Sequence, residues 1–360
     1  MKYYETTFDE YINSVSGFNI HNDIQPIIKS FPKNIHNFQN LIIYGPPGTG
    51  KYSQSLQIIK KYSPTNLKYD KKMIIQTDKN KYKYKISDIH YEIDMSLLGC
   101  NSKNLWHELF FQIIDIISVH PTCRCGIIMC KNFHTIHSEL LEIFYSYIQH
   151  YNHNLSNIHI KFILITEQLS FIPDNIIKCS HILNIKRPTK KIYQTLLHNS
   201  CKENKFMNKS SLPKLDNKYI NTKQNLFNTI NTNDIINMKE LHYFSLLELN
   251  KNTITNIPDD NFTIVCDKII SECSNNKNIN FVTLRDLLYD MLTYNLDISE
   301  CIWYIIYSLI QNNFLNKENI TDILIKSYTF FKYFNNNYRP IYHLESIIFY
   351  IISKLNKYEL

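Results

Sequence analysis

Apolar residues in the first half of the chain fall into short runs, each followed by a stretch in which they recur at every third or fourth position. Leu41 to Tyr44, Gly126 to Cys130, Lys161 to Thr166 and Ile182 to Ile185 are such runs, and a further strand is predicted around Ile89 to Asp94. Between them, "SKNLWHELFFQIIDIIS" and "SELLEIFYSYIQHY" carry helical spacing. Five short strands alternating with helices predict an α/β unit built on a mostly parallel sheet. The lysine-rich stretch from Lys68 to Met95 alternates instead, which predicts a hairpin or an extended insertion leading into the strand at Ile89. From Pro188 onward the pattern turns helical, passing through an Asn- and Lys-rich stretch, Lys202 to Thr232, that is expected to be partly mobile. It ends in "FVTLRDLLYDMLTYNLDISECIWYIIYSLIQ" and "YHLESIIFYIISKLNK", both with apolar residues three and four apart. No internal repeat with a period of about 20 to 50 residues is present.

The first strand runs into Gly45, Pro46, Pro47, Gly48, Thr49, Gly50 and Lys51, which complete G-x-x-x-x-G-K, and a polar, helix-compatible stretch follows from Tyr52 to Tyr62. Strand, glycine loop and helix in that order aim successive backbone N–H groups and a helix N-terminus at one anion. Lys51 is expected to reach the β and γ phosphates of a nucleotide. The chain has 6 glycines, and three of them lie in this loop, so they are concentrated where a phosphate would sit. The next position departs from the usual chemistry. A short-chain hydroxyl there ordinarily meets Mg²⁺, whereas Tyr52 carries its oxygen far from the backbone. Ser53 is the nearest substitute, but one residue further along the helix turns its side chain away by about 100°. The loop is expected to hold ATP while handling Mg²⁺ poorly.

At 360 residues the chain exceeds one ordinary small core, and two or three domains are expected. The formal charge is +7, but the abundance of Asn, Ile, Lys and Tyr looks like the codon bias of an AT-rich genome, so charge argues only modestly for a polyanionic partner. Four of the 39 basic residues are arginines (Arg124, Arg187, Arg285 and Arg339), which leaves few guanidinium groups for bidentate phosphate contacts. Nine irregularly spaced cysteines argue against a disulfide framework and for a reducing compartment. The segment "MKYYETTFDEYINSV" lacks the apolar stretch of a secretory signal, and no apolar run approaches the ~20 residues of a membrane helix. A soluble, intracellular protein without a membrane partner is expected.

Hydrolysis by a phosphate loop needs a second strand ending in a carboxylate pair, one for Mg²⁺ and one to polarise the attacking water. The strand expected to carry it, Gly126 to Cys130, runs into Lys131, Asn132 and Phe133. A lysine at the metal-carboxylate position reverses the charge there, and an amide is no general base. Tyr91 to Asp94 offers two carboxylates, but it precedes the strand expected to be central. No catalytic residue is assigned.

These residues together resemble a small subunit of the replication factor C clamp loaders, within the AAA+ ATPases. "NLIIYGPPGTGK" resembles that family's Walker A segment, and "DIHYEIDMSLLGCNSKNLWHELF" its following strand and helix. "KFILITEQLSFIPDNIIKCSHILNIKRPT" is similar to the sensor 1 strand and the run into the lid, while "LRDLLYDML" and "YRPIYHLESIIFYI" are similar to the collar. The likeness is collinear over nearly the whole chain, and its Ile-, Lys- and Asn-rich composition suggests a version from a large DNA virus. The resemblance implies an AAA+ P-loop domain over residues 1–186, a helical lid over 187–252 and an all-helical collar for oligomerisation over 253–360. It also implies ATP as ligand, with other clamp-loader subunits, a sliding clamp and primer-template DNA as partners. Localisation at the site of DNA replication, in a nucleus or a cytoplasmic viral factory, follows from the same likeness.

The departures from the family are as informative. Lys131 and Asn132 stand where the family has its Walker B carboxylates, and Lys178, Cys179 and Ser180 stand where Ser-Arg-Cys supplies an arginine finger. Thr166 or Glu167 occupies the sensor 1 asparagine position, and Lys239 lies near the sensor 2 arginine. The family includes a small subunit that binds nucleotide without hydrolysing it, and the order Lys51, Tyr52, Ser53 is similar to that member. The implied function is a clamp-loader small-subunit-like role with ATP bound and not efficiently hydrolysed. Two other readings stay open: an active P-loop ATPase with a rearranged metal site using Glu167 or Glu92 as base, and a stand-alone DNA-binding or adaptor protein.

Lys68 to Lys85 reads either as a patch tracking a phosphate backbone, tyrosines interleaved, or as a solvated hairpin. Cys123, Cys125, Cys130, His134 and His137 lack zinc-ribbon spacing and read as free thiols and histidines in and beside a core strand, with no metal expected. His343 and Glu345 are expected to fix subunit packing.

Overall fold

The computed structural model describes residues 7–76, 81–99, 101–119, 124–152, 158–189, 191–192, 195, 261–274, 280–334 and 339–356. The chain divides into two compact units, one within residues 1–248 and one comprising residues 249–360 together with Gln168–Ile172. The lid expected over 187–252 lies almost wholly outside the described residues, and with it Lys239 and the stretch from Lys202 to Thr232.

The first unit is a mixed α/β structure. Its strands are β1 (Asn40–Tyr44), β2 (Lys71–Gln76), β3 (Lys81–Ile86), β4 (His90–Asp94), β5 (Cys125–Lys131), β6 (His159–Thr166) and β7 (Ser180–Asn184). They form one sheet in the order β2-β3-β4-β5-β6-β1-β7. The five strands from β4 to β7 in that order pair in parallel, and the lysine-rich hairpin β2–β3 adds on antiparallel at the β4 edge. Strand ends shift by one or two residues from the sequence pattern, because backbone pairing continues past the last apolar side chain. β5, for instance, takes in Cys125 and Lys131.

Helices α1 (Phe8–Gly17), α2 (Gln25–Ser30), α3 (Lys51–Lys60), α4 (Ser102–Ser118), α5 (Ser138–Asn152) and α6 (Asp174–Lys178) accompany the sheet. Thr7 and Glu10 close a capping box on α1, satisfying two of the N–H groups that a helix start leaves unpaired. Strand periodicity of two assigns the central residues to opposite faces. Ile163 and Ile165 of β6 share a core with Phe8, Leu56 and Ile59 from α1 and α3. Phe162, in the opposite phase, meets Phe110 of α4 and Phe144 of α5, with ring centroids 6.3 and 5.6 Å away. Both faces are covered, which is why the central strands read as continuous apolar runs.

The second unit is helical: α7 (Asn261–Ser274), α8 (Phe281–Thr293), α9 (Ile298–Gln311), α10 (Lys317–Phe334) and α11 (Pro340–Asn356) surround one apolar core that includes Ile269, Leu288, Ile305, Phe331 and Ile348. The long periodic stretch from Phe281 to Gln311 breaks into two helices. Asn295 turns the chain with φ of 52°, and Asp297 restarts it by accepting from the N–H groups of Ser299 and Glu300. Glu345, expected to fix subunit packing, is buried and accepts from Nε and Nη2 of Arg285. That carboxylate ties α11 to α8 of its own chain, and one of the four arginines is spent in doing so.

Candidate phosphate-binding site

β1 lies inside the sheet, with β6 on one side and β7 on the other, so the chain leaves its carboxyl end at a point where successive connections diverge. In open α/β sheets such a crevice is where ligands bind. The loop Gly45 to Gly50 occupies it, and α3 begins at Lys51. Gly45 passes so close to the next strand's exit that a Cβ there would lie 2.1 Å from the Ile185 carbonyl oxygen. Gly50 is the residue before the helix and takes φ of 89°, a left-handed conformation that costs little only without a Cβ.

The loop is closed on itself. Nζ of Lys51, 9% exposed, donates to the carbonyl oxygens of Gly45 and Pro46, each at 2.7 Å. The Thr49 hydroxyl donates to the Pro46 carbonyl at 2.9 Å. Reaching a phosphate, as expected for Lys51, requires the amine to leave those two carbonyls. From the N-terminal segment, His21 Nε2 donates to the Thr49 carbonyl at 2.7 Å. A carbonyl only accepts, so the proton sits on Nε2. Asn19 Oδ1 accepts from both the His21 N–H and Gln54 Nε2 on α3, holding this latch against the helix.

Tyr52, the residue standing where a metal-binding hydroxyl is usual, turns into the protein. Its hydroxyl donates to Glu92 Oε1 at 2.7 Å, and its ring meets Tyr11 edge-on at 5.0 Å. Glu92 lies on β4 and is 2% exposed. Its Oε1 also faces His90 Nε2 at 3.4 Å, and its Oε2 accepts from Lys131 Nζ at 3.3 Å. The same ammonium lies 5.4 Å from the centre of the Tyr52 ring, a cation–π approach. Burial works against a charge on Glu92, but the His90 N–H, the Lys131 ammonium and the Tyr52 hydroxyl outweigh it and hold the carboxyl below the usual glutamate range. Burial, and then the Glu92 charge, push the Tyr52 hydroxyl well above the usual tyrosine range, so it stays a neutral donor.

Two carboxylates, Glu92 and Asp94, lie on β4 one strand away from the tip of β5, and Lys131 and Asn132 bind them. Lys131 is in register with Asp94, and Asn132 Nδ2 donates to Asp94 Oδ1 at 3.0 Å. That oxygen also accepts from the N–H and hydroxyl of Ser96.

This set does not fit Mg²⁺, which needs oxygen ligands in near-octahedral array at about 2.0–2.1 Å. Both Glu92 oxygens are committed, and the Tyr52 oxygen is spent on Glu92. A dication 4 Å from the Lys131 ammonium would be repelled by on the order of 8 kcal/mol at an effective dielectric constant of about 20. Among the described residues, no group of three or more His, Cys, Asp or Glu is placed to hold a metal ion. Cys125 and Cys130 are buried on β5, neither of them in a disulfide.

The sensor-like pair divides between two environments. Thr166 is buried at the end of β6, in register with Tyr44 immediately before the loop. Glu167 Oε2 lies 3.6 Å from His134 Nε2, beyond β5. Ser53 is half-buried on α3, and Lys178, at the expected arginine-finger position, is exposed at the end of α6. Glu92 as a catalytic base conflicts with its burial and three partners, since a base needs access to a water. His21, Asn19 and Tyr11 had no signal in their own neighbourhood of the sequence.

The hairpin separates its lysines from its tyrosines. Lys72 faces Lys85 across the pair and Ile74 faces Lys83, all on one side. Tyr82 and Tyr84 point to the other side and are buried. The Tyr82 hydroxyl bonds the Asp94 backbone, and that of Tyr84 donates to Gln112. Interleaved stacking by these two tyrosines is thereby corrected: strand alternation hides the rings, while Lys81 and Lys83 stay exposed.

No protein-family model matches the chain, and no curated protein matches it. Among solved structures it is similar to PCH-2 from C. elegans, at 15% identity and a TM-score of 0.34, over 75% of this chain and 59% of that one. It is also similar to two substituted variants of RuvB from Thermotoga maritima, at 13% and 12% identity and TM-scores of 0.44 and 0.43, each over 87% of this chain and 92% of the other. At that level the likeness bears on no residue's role, and the architecture stands on the strand order and register above. No helix of the described residues is long and apolar enough to cross a membrane.

Proposed function

We propose that this chain is an AAA+ subunit, similar to the small subunits of clamp loaders, that binds ATP without hydrolysing it efficiently and helps place a sliding clamp on primer-template DNA. The observation that supports the inactive half of this reading is the Tyr52–Glu92–Lys131 knot beside the phosphate loop, in which both Glu92 oxygens are committed and Mg²⁺ finds no fit. The loop itself, at the crevice between β6 and β7, supports nucleotide binding. ATP there would stabilise the nucleotide-bound arrangement by mass action, about 2.7 kcal/mol at a hundredfold excess over Kd. The collar role, with oligomerisation over 253–360, draws support from exposed apolar side chains on the helical unit. Trp303 and Tyr307 lie one turn apart on α9, and Ile325 and Tyr328 one turn apart on α10. The lid and Lys239 belong to this proposal through the sequence resemblance alone.

Two measurements test it. Calorimetry with ATP is expected to show binding that Lys51→Ala weakens by about 10- to 100-fold, with phosphate release at background in the wild type. Mg²⁺-dependent hydrolysis that disappears in Lys51→Ala would overturn the inactive-site reading. Retrieval of the tagged chain from its native cells is expected to bring related subunits with intact carboxylate pairs and a ring-shaped clamp. A chain recovered alone would end the clamp-loader reading.

The outward lysines of the hairpin favour a second reading, a stand-alone DNA-binding or adaptor protein. Lys81 and Lys83 are exposed two residues apart on β3, a spacing that offers positive charge to a polyanion. The isolated chain is then expected to bind DNA with an affinity that falls steeply with salt. Glutamine at Lys72, Lys83 and Lys85 is expected to lower the log–log salt slope by about 2 to 3. An unchanged slope would remove the hairpin from any DNA contact.

A further inference from the structure

We propose that the phosphate loop takes a nucleoside polyphosphate without any divalent cation, the Lys131 ammonium supplying the counter-charge from its mounting on Glu92 and Tyr52. This rests on the reading of Gly45 to Lys51 as a nucleotide site and goes beyond it by assigning Lys131 a binding role.

The geometry has three parts. First, Lys131 is the last residue of β5, and its Nζ lies 5.4 Å from the centre of the ring of Tyr52, the residue directly after Lys51. Second, it is held there. An ammonium has three donors, and Glu92 Oε2 takes one at 3.3 Å while the Tyr52 ring attracts the charge from the side. Glu92 is in turn fixed by the Tyr52 hydroxyl and by His90, so the mount is buried and polar at every point. Third, the Lys131 side chain reaches solvent: it is 30% exposed, against 1% for that of Glu92.

An amine so placed is redundant if the knot is only structural. A hydrophobic trio of the same volume would pack the position without the cost of desolvating a carboxylate. As a phosphate site it has a purpose: Lys51 and Lys131 would present two positive charges to the polyphosphate, the work a dication and one lysine share in a metal-dependent loop. Glu92 then acts as a positioning residue.

The test is calorimetry of the full chain with ATP, once with Mg²⁺ and once with EDTA, on wild type, Lys131→Met and Lys131→Arg. The expected result is a Kd that EDTA changes by less than about threefold, weakened about 10- to 100-fold in Lys131→Met and largely restored in Lys131→Arg. Thermal unfolding of each variant shows that it is folded, and the arginine variant keeps the test sound if methionine disturbs the fold. Binding that EDTA weakens tenfold or more would overturn the inference and leave the nucleotide site standing. Equal binding by wild type and Lys131→Met would likewise overturn the role of Lys131. No binding in either buffer would overturn the nucleotide site itself, and this inference with it.

Discussion

Gly45→Ala is expected to abolish both ATP binding and most of the stability of the α/β unit. The added Cβ would lie 2.1 Å from the oxygen and 3.1 Å from the carbon of the Ile185 carbonyl, and both are backbone atoms. No rotamer change can relieve that clash. The segment cannot step away cheaply either, because the Ile185 N–H donates to the Tyr44 carbonyl at 2.8 Å and β7 pairs with β1 along its length. A cost above about 4 kcal/mol is expected, in the range reached only when a buried position has no way to relax. Urea unfolding of the variant measures it. Gly17→Ala is the control: nothing lies within 4 Å of its Cβ position at the end of α1, and alanine there is expected to be neutral or to stabilise by up to about 1 kcal/mol. Equal stability of Gly45→Ala and wild type would mean that the loop does not approach Ile185 as described.

Glu92→Ala is expected to be the most damaging change in the polar interior, costing about 3–5 kcal/mol, the usual range when one partner of a buried ion pair is removed. It leaves the Tyr52 hydroxyl and His90 Nε2 buried without their acceptor and frees Lys131 from its anchor. The pH dependence gives an independent check with a definite sign. The folded-state pKa of Glu92 is depressed, so its stabilisation is complete above the ordinary glutamate pKa and is lost as pH falls through the lower, folded value. Wild-type Tm is therefore expected to decline in that acid window, and Glu92→Gln, which has no charge to lose, is expected to decline less steeply. Parallel curves would show that the carboxyl is not held ionised by its partners.

The phosphate loop was legible in the sequence because everything it needs is contiguous: an apolar run, glycines at fixed offsets, a lysine, a helix start. Tyr52 after Lys51, and Lys131 with Asn132 at the end of β5, were legible for the same reason, being residues at fixed positions of local patterns. The parallel core followed from apolar runs that need cover on both faces, and the hairpin from alternation. Its tyrosines were misjudged because composition reports that rings are present, while strand phase decides which side of the sheet they take.

By itself, then, the sequence determined the α/β core and the glycine loop, since each depends on residues within one turn or one strand of each other. Tertiary structure alone decided where the replaced charges go. Lys131 meets Glu92 across 39 positions, Tyr52 meets Glu92 across 40, and His21 meets Thr49 across 28. Those meetings depend on β4 lying beside β5 and on the N-terminal segment folding back over the loop, and side-chain reach is only a few ångströms. A pattern along the chain holds no record of which distant segment comes within that reach, so the buried carboxylate that holds the Lys131 ammonium becomes visible only in the folded protein.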